Sequence, residues 1–338
     1  MHEARFYTPE KDQAVRCHLC AHRCLIKPEK TGICGVRRNH EDRLESLVYG
    51  KLIATHVDPI EKKPLFHFLP GSLSYSIATV GCNFRCLFCQ NADISQAIRD
   101  QGAAFGRDFS PHAVVQDALK TRCATVSYTY TEPTIFMEFA MDVGIEARKA
   151  GLKNVFVSNG YMTQEALQKA AETFLDAANV DLKAFRDRFY KEMCGARLEP
   201  VLETLRGMKR LGIWLEVTTL LIPGLNDDPQ ELKELAEFLV SLGPETPWHV
   251  SRFHPTYRLT DRPPTPVATL RRAREIGLKA GLHYVYTGNV PGDEGENTYC
   301  PQCGAVIFKR HGFSTKPQGI HKGTCEACGA RIHGVNLP

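Results

Sequence analysis

Between about residues 75 and 290, short runs of apolar residues alternate with longer stretches of helical character. The runs are Tyr75–Gly81, Ala124–Tyr130, Asn154–Ser158, Ala178–Lys183, Ile213–Ile222, Trp248–Phe253 and Tyr284–Thr287. They show little alternation of apolar and polar positions, which predicts parallel strands covered on both faces. The intervening stretches carry helix punctuation. Ser110-Pro111, Asp228-Pro229 and Thr265-Pro266 each offer an N-cap followed by a first-turn proline. Gly151, Gly243 and Gly281 stand where helices should stop. Repeated strand–helix units imply right-handed crossovers and an α/β chain. A complete or partial β/α (TIM-like) barrel suits that many units best, with an open doubly wound sheet as the alternative.

In either plan, functional groups collect at the carboxyl ends of the strands. Here those ends read GCNFRCLFC, YTEP, SNG, DLK, TTLLIPG and RFHP. Polar and reactive residues recur at these positions. No glycine-rich dinucleotide or P-loop fingerprint accompanies them.

The 338 residues suffice for one large domain or two ordinary ones, and 43% hydrophobic with 24% charged residues permits a full core. No apolar run approaches the roughly 18 residues of a membrane helix. The first twelve residues are polar and lack a secretory apolar region, so a soluble, cytoplasmic chain is expected. The net charge of +4 is uneven: residues 1–40 hold eight Lys and Arg against four Asp and Glu, and residues 300–338 five against one. Neither end has a run of five like charges, which argues against nucleic acid as a partner.

Thirteen cysteines change the picture. An odd number without an export signal speaks against a disulfide scaffold. All but Cys123 and Cys194 fall into three clusters, as cytosolic metal ligands do. Cys82, Cys86 and Cys89 form C-x3-C-x2-C directly after a predicted strand. Three thiolates there suit three irons of a [4Fe–4S] cube, leaving one iron open to a small molecule; a three-cysteine zinc site with a remote fourth ligand is the alternative. Cys300, Cys303, Cys325 and Cys328 form two C-x2-C knuckles, each followed by glycine, which predicts a zinc ribbon or, alternatively, rubredoxin-like iron. Cys17, Cys20, Cys24 and Cys34 have looser spacing, with His18 and His22 nearby. An auxiliary [4Fe–4S] cluster and zinc both fit them. Cys123 and Cys194 read as packing residues, although Cys194 follows the DLK strand and offers a radical relay as a second role.

GCNFRCLFCQN resembles the signature loop of radical S-adenosylmethionine (SAM) enzymes, in the version found in glycyl-radical-enzyme activases such as the pyruvate formate-lyase activating enzyme. Glu132-Pro133 matches the Glu-Pro of that family's GGEP motif, Asp181-Leu182-Lys183 its DLK and Ile222-Pro223-Gly224 its VPG. His254 matches the histidine after the next strand. Over nearly the whole chain, RCHLCAHRC, GICGVR, DPIEKKPLFHFLPG, YTYTEPT, CGARLEPVLET and TGNVPG look like the radical SAM protein of the AmmeMemoRadiSam system.

The resemblance implies three parts: a four-cysteine metal segment over 1–70, a radical SAM barrel over 71–292 and a zinc-ribbon-like module over 293–338. It implies reductive cleavage of SAM at a [4Fe–4S] cluster to a 5′-deoxyadenosyl radical, which abstracts hydrogen from a protein or partner-presented substrate. Thr131 and Glu132 would meet the methionyl amine, Lys183 the carboxylate, and Asp181 or His254 the ribose; Asn159 would line the same pocket. One departure stands out: Tyr130 and Thr131 replace the two glycines of GGEP, which tightens the site. Implied partners are a flavodoxin- or ferredoxin-type reductant and proteins of Memo and Amme type. Competing readings are a glycyl-radical-enzyme activase, a non-catalytic iron–sulfur redox relay and a zinc-ribbon adaptor.

Overall fold

The computed structural model describes residues 2–338. Its central sheet has eight strands: β1 (Ala54–Pro59), β2 (Leu73–Ala78), β3 (Thr125–Tyr128), β4 (Lys153–Ser158), β5 (Ala177–Asp181), β6 (Trp214–Leu221), β7 (Trp248–Arg252) and β8 (Val285–Gly288). They lie side by side in chain order. The β1–β2 pair is antiparallel, and every neighbouring pair from β2 to β8 is parallel. Six helices of ten residues or more connect β2 through β8 in turn: α1 (Pro111–Lys120), α2 (Met137–Lys149), α3 (Gln164–Thr173), α4 (Glu199–Arg210), α5 (Pro229–Leu242) and α6 (Val267–Ala280).

Right-handed crossovers between adjacent strands put every helix on the same face. A sheet so covered on one face can curl around the other, as a partial β/α barrel does. A doubly wound sheet would need a reversal of strand order, and none occurs. Among the described residues no ladder joins β8 to β1, so the wall is open on that side.

Strands β2 to β8 fall on the seven predicted runs, and β1 is additional. Its sequence ATHVDP is mixed in polarity, ends in proline, and leaves Val57 exposed, as an edge strand does. The Ser110 and Asp228 hydroxyl and carboxylate cap α1 and α5 by accepting from Ala113 and Glu231 N–H. The predicted Thr265 cap is not formed. Helix α6 begins at Val267 after Pro266, because the Thr265 hydroxyl is already bonded to Leu221 C=O and Phe253 N–H. Between sheet and helices, Tyr128, Phe156 and Phe174 form mutual ring contacts. Burying each such ring stabilises the fold by about 2–3 kcal/mol.

The chain ends form smaller sheets. One N-terminal sheet joins His2–Glu3, Arg43–Ser46 and Arg37–His40; another joins Tyr7–Pro9, Val15–Cys17 and Leu25–Ile26. At the C-terminus, Thr298–Tyr299, Val306–His311 and Ser314–Pro317 make an antiparallel sheet. Its Ile307 and Phe308 pack with Phe66, Tyr284 and Tyr286, beside the last strand of the barrel wall.

A polar network holds the lower interior to this C-terminal part. Glu216, fully buried on β6, accepts from Phe66 and His67 N–H, Trp214 Nε1 and His249 Nε2 at 2.7–3.1 Å. Burial works against its charge, yet these donors, His249 foremost, hold its pKa below the ordinary value. His67 Nδ1 contacts His333 C=O at 2.6 Å and its Nε2 contacts the Tyr286 hydroxyl at 2.5 Å. Both contacts suit a neutral ring with its proton on Nδ1. Arg310 donates to Phe66 C=O and the Thr298 hydroxyl while covering the Phe66 ring at 4.3 Å.

Burial pulls the His67 pKa down to about 4, whereas an unfolded histidine titrates near 6.5. Between those values the unfolded chain binds more protons, so stability falls as pH drops from about 6.5 to about 4. The expected loss is about 2 kcal/mol, read as a lower urea midpoint at pH 5 than at pH 7. His67→Gln should flatten that slope; an unchanged slope would mean that other groups carry it.

Candidate active site at the carboxyl ends of the strands

The loop after β2 carries Cys82, Cys86 and Cys89 and docks on the π-helical turn Tyr190–Cys194. Arg85 and Leu87 N–H donate to Cys194 and Met193 C=O at 2.8 and 3.0 Å. Gly81 opens the loop at φ +99°, where an added Cβ would lie 2.8 Å from Val36 and 3.2 Å from Cys34 C=O. Only glycine fits there without displacing a neighbour. Phe84 N–H donates to Cys82 Sγ at 3.3 Å, and Ser95 Oγ lies 3.2 Å from Cys89 Sγ.

Burial pushes the Cys82 and Cys89 thiols up, and a hydrogen bond with Cys194 together with burial does the same for Cys86. Thiols so buried become thiolates when a cationic centre binds them. Among the described residues, Cys300, Cys303, Cys325 and Cys328 hold their ligand atoms within 4.8 Å of one another. Three thiolates on one short loop suit a cube, whose thiolates stand on separate irons.

Cys82, Cys86 and Cys89 face a cavity of about 550 Å³ over the strand ends. Thr131, Glu132, Asn159, Asp181 and Lys183 all line it. His254 is exposed and stands outside this lining.

Glu132, 2% exposed, is held from several sides. Its Oε1 accepts from Thr134 N–H, Thr134 Oγ1 and Ser158 Oγ at 3.0, 2.5 and 2.8 Å, and its Oε2 from Asn159 N–H at 2.8 Å. Oε2 therefore keeps acceptor capacity toward the cavity. Burial lifts the carboxyl's pKa above its ordinary value against these bonds. Asn159 Nδ2 donates to Asn83 Oδ1 at 2.7 Å and lies 3.9 Å from Cys82 Sγ, linking β4 to the cysteine loop. Lys183 Nζ pairs with Asp181 Oδ2 at 2.9 Å. Burial opposes its charge, but the Asp181 carboxylate holds the ammonium well above the ordinary lysine value. The Thr131 hydroxyl is turned to Thr79 C=O, which leaves its backbone as the cavity-facing group.

The tightened turn has a physical explanation. Tyr130 keeps the left-handed backbone, φ +63°, that a glycine would adopt freely. Asn91 Nδ2 donates to its carbonyl at 2.7 Å. Its hydroxyl hydrogen-bonds Asp58, which also binds Lys62 and Lys63 at 2.8 and 2.6 Å. Burial draws the Lys63 pKa down to about 8 despite this partner. Lys62, Lys63 and Tyr130 thus form a cationic and aromatic wall of the cavity. The DPIEKKP stretch carried this wall in plain view, but nothing local ties residues 58–63 to residue 130. Phe313, at the tip of the C-terminal hairpin and 52% exposed, also reaches the lining.

In the C-terminal set, Cys300 and Cys328 Sγ are 3.6 Å apart and Cys303 and Cys325 Sγ 3.7 Å. A tetrahedron of thiolates with Zn–S bonds of about 2.3 Å has edges of about 3.8 Å. These four sulfurs therefore fit one tetrahedral ion. Cys17, Cys20, Cys24 and Cys34 surround a separate small cavity with His22 and Arg37. Cys194 is fully buried against Cys86, closer to the loop than packing alone required; Cys123 is buried beside Thr121. All thirteen cysteines are free of disulfides, and among the described residues no helix is long and apolar enough to cross a membrane.

Residues 76–239 match the model of the radical SAM superfamily. An uncharacterized protein of Methanocaldococcus jannaschii is 48% identical over 335 residues, which are 98% of this chain and 99% of that one. The isethionate sulfite-lyase activating enzyme of Nitratidesulfovibrio vulgaris is 29% identical over 172 residues, 50% of this chain and 56% of that protein. Among solved structures, Streptococcus suis SuiB bound to precursor peptide SuiA superposes with a TM-score of 0.52 at 15% identity, over 68% of this chain and 51% of SuiB. That last likeness concerns the fold.

Proposed function

The chain belongs to the radical SAM superfamily, and from that premise we propose that it cleaves SAM reductively at a [4Fe–4S] cluster on Cys82, Cys86 and Cys89. The observation that carries this reading is the convergence of the three thiols, Glu132 and Lys183 on one cavity. When bound, the cluster and SAM supply one-electron cleavage of the sulfonium and a 5′-deoxyadenosyl radical able to abstract hydrogen. The protein's own residues bind and orient. Glu132, its rotamer locked by Thr134, Ser158 and Asn159, would accept from the methionyl amine through Oε2. Lys183 would hold the methionyl carboxylate, and Asp181, its partner at 2.9 Å, would serve the ribose hydroxyls. Such fixed contacts shorten the search for a reactive geometry.

Lys183→Ala should weaken SAM binding by about 1.5–3 kcal/mol, the range for a charge-assisted hydrogen bond. Equilibrium dialysis on the cluster-loaded protein measures it, and an affinity equal to that of the unaltered chain would remove Lys183 from the binding set.

For the substrate, the proposal is a protein or a molecule presented by a partner, with proteins of Memo and Amme type as candidates from the AmmeMemoRadiSam resemblance. The cavity supports this by its exposed Phe313 rim and its Lys62–Lys63 wall, which suit a large or anionic partner. A flavodoxin- or ferredoxin-type reductant and a cytoplasmic setting complete the proposal. Zinc is proposed for Cys300, Cys303, Cys325 and Cys328. A second reading, formation of a glycyl radical on a separate enzyme, draws on the stretch shared with the isethionate sulfite-lyase activating enzyme. Reduced protein incubated with SAM and each candidate partner, with deuterium transfer into 5′-deoxyadenosine followed, decides between them. Full turnover on a free metabolite would overturn the partner-presented substrate, and a persistent glycyl-radical signal would favour the second reading.

A further inference from the structure

The cavity over the strand ends has a second charged region, at Lys62 and Lys63, for which SAM has no use. Both lysines are bonded to Asp58, which pairs with Ser74 near the start of β2, whereas the cysteine loop follows the other end of that strand. The lysines therefore stand across the cavity from the three thiols. We propose that Lys62 and Lys63 together bind a carboxylate group of the substrate. The anion site stands on its own geometry; that its occupant is the substrate rests on the radical SAM reading.

The segment Asp58–Pro64 builds this region locally. Pro59 and Pro64 flank one 3-10 turn, Ile60–Lys62, closed by Lys63 N–H to Ile60 C=O at 2.9 Å. Proline fixes its own φ and restricts the residue before it, so neighbouring lysines are both held at one carboxylate. Lys62 Nζ meets Asp58 Oδ1 at 2.8 Å, and Lys63 Nζ meets Oδ2 at 2.6 Å. Ser76 Oγ at 2.8 Å and the Tyr130 hydroxyl also donate to Oδ2. A carboxylate accepts about four hydrogen bonds, so Asp58 is saturated. Each ammonium has three donors, and among the described residues neither has another acceptor. Lys63 is 1% exposed, so bulk water does little for the N–H groups left over.

Charge selects the ligand. Asp58 offsets one of the two ammoniums and leaves a single positive charge on the wall. The other charged groups of the lining are already engaged. Lys183 is paired with Asp181, Glu132 is held by four donors, and Glu61 accepts from Gly71 N–H at 2.7 Å and interacts with the charge of Arg310. The nearby Thr218, Ser251 and Asn289 are neutral. One carboxylate cancels the excess, whereas a phosphate dianion would leave an uncompensated charge in a buried place. Burial also draws the Lys63 pKa down to about 8 despite Asp58. A second carboxylate beside it would restore the charged form.

Trace acetylation with acetic anhydride, read lysine by lysine by mass spectrometry on the full-length, cluster-loaded protein, tests the site. Propionate is the probe, compared with chloride at equal ionic strength. Only the neutral amine is acetylated, and a nearby anion shifts a lysine by about one pKa unit or more. Labelling of Lys62 and Lys63 should therefore fall saturably, by about tenfold, while exposed Lys120 and Lys233 label as they do in chloride. Lys62→Met leaves Asp58 its other three donors and should weaken propionate protection of Lys63 by about tenfold or more. Should Lys63 label too slowly to follow, Lys63→Met read at Lys62 makes the same comparison. Labelling that propionate leaves unchanged would overturn the proposal, as would inorganic phosphate protecting at lower concentration than propionate. A capped tripeptide with a central aspartate separates the sources of the group: protection by the peptide assigns it to a protein substrate, and protection by propionate alone to a small acid. The radical SAM reading fails separately, if the cluster-loaded chain binds no SAM while propionate still protects the two lysines.

Discussion

Replacing Cys82, Cys86 or Cys89 by alanine is expected to reduce 5′-deoxyadenosine formation by roughly a thousandfold or more, to background. With three thiolates for a cube that keeps one iron open, none is spare. Loss of any one leaves two anchors and a labile cluster. Double replacements should be no worse than single ones, because the residues act as one unit. The fold should survive, since the loop is held mainly through its backbone: Arg85 and Leu87 N–H reach the Tyr190–Cys194 turn, and the Arg99 guanidinium reaches Cys82 C=O at 3.0 Å. Chromatographic product analysis under anaerobic, reducing conditions reads the activity, and thermal unfolding reads the fold. An alanine variant that cleaves SAM at the normal rate would locate the cluster elsewhere.

Stripping metal from Cys300, Cys303, Cys325 and Cys328 is expected to melt residues 293–338 while most of the sheet persists. A small sheet of short strands over a limited apolar cluster is marginal without a staple, and structural zinc supplies about 10–16 kcal/mol of apparent binding energy in small modules. The effect should spread inward. Arg310 would release Phe66 C=O, and Tyr286 would lose Thr298. The interior histidines would then be open to water. Hydrogen exchange before and after chelation, or in Cys303→Ser/Cys328→Ser, should show protection lost in 293–338 and reduced in 64–68. Unchanged protection would mean that the sheet of Val306–His311 stands by its own packing.

The sequence disclosed most readily what is local. Parallel strands buried on both faces are continuous apolar runs, so β2 to β8 could be read directly, and cysteine spacing marked three sites. Glu132, Asp181 and Lys183 stood out at strand ends, and the radical SAM resemblance suggested what each would do there. What escaped depends on distant partners. A glutamate inside WLEVTTLL signals a buried carboxylate, but its donors come from residues 66, 67 and 249. Thr265 looked like a helix cap because its competing acceptor, Leu221 C=O, is 44 residues away. The replacement of glycine by Tyr130 was visible, whereas the engagement of its hydroxyl with Asp58 on the edge strand was not.

The sequential order of the strands has a bearing on how the molecule comes into being. Each strand from β2 onward pairs with its immediate predecessor, so the wall can extend strand by strand as the chain leaves the ribosome. Contacts that close early in sequence form quickly, and domains generally organise from the N-terminus during synthesis. The last piece is different in kind. Arg310 and Phe308 must reach back to Phe66 across 244 and 242 residues, and Phe313 completes the rim only after some 300 residues have emerged. The cysteine loop at 82–89 is therefore made long before its cavity acquires a finished wall. During that interval the loop is more open to solvent, to oxidants and to proteins that deliver iron than it is once the C-terminal hairpin has joined the rim.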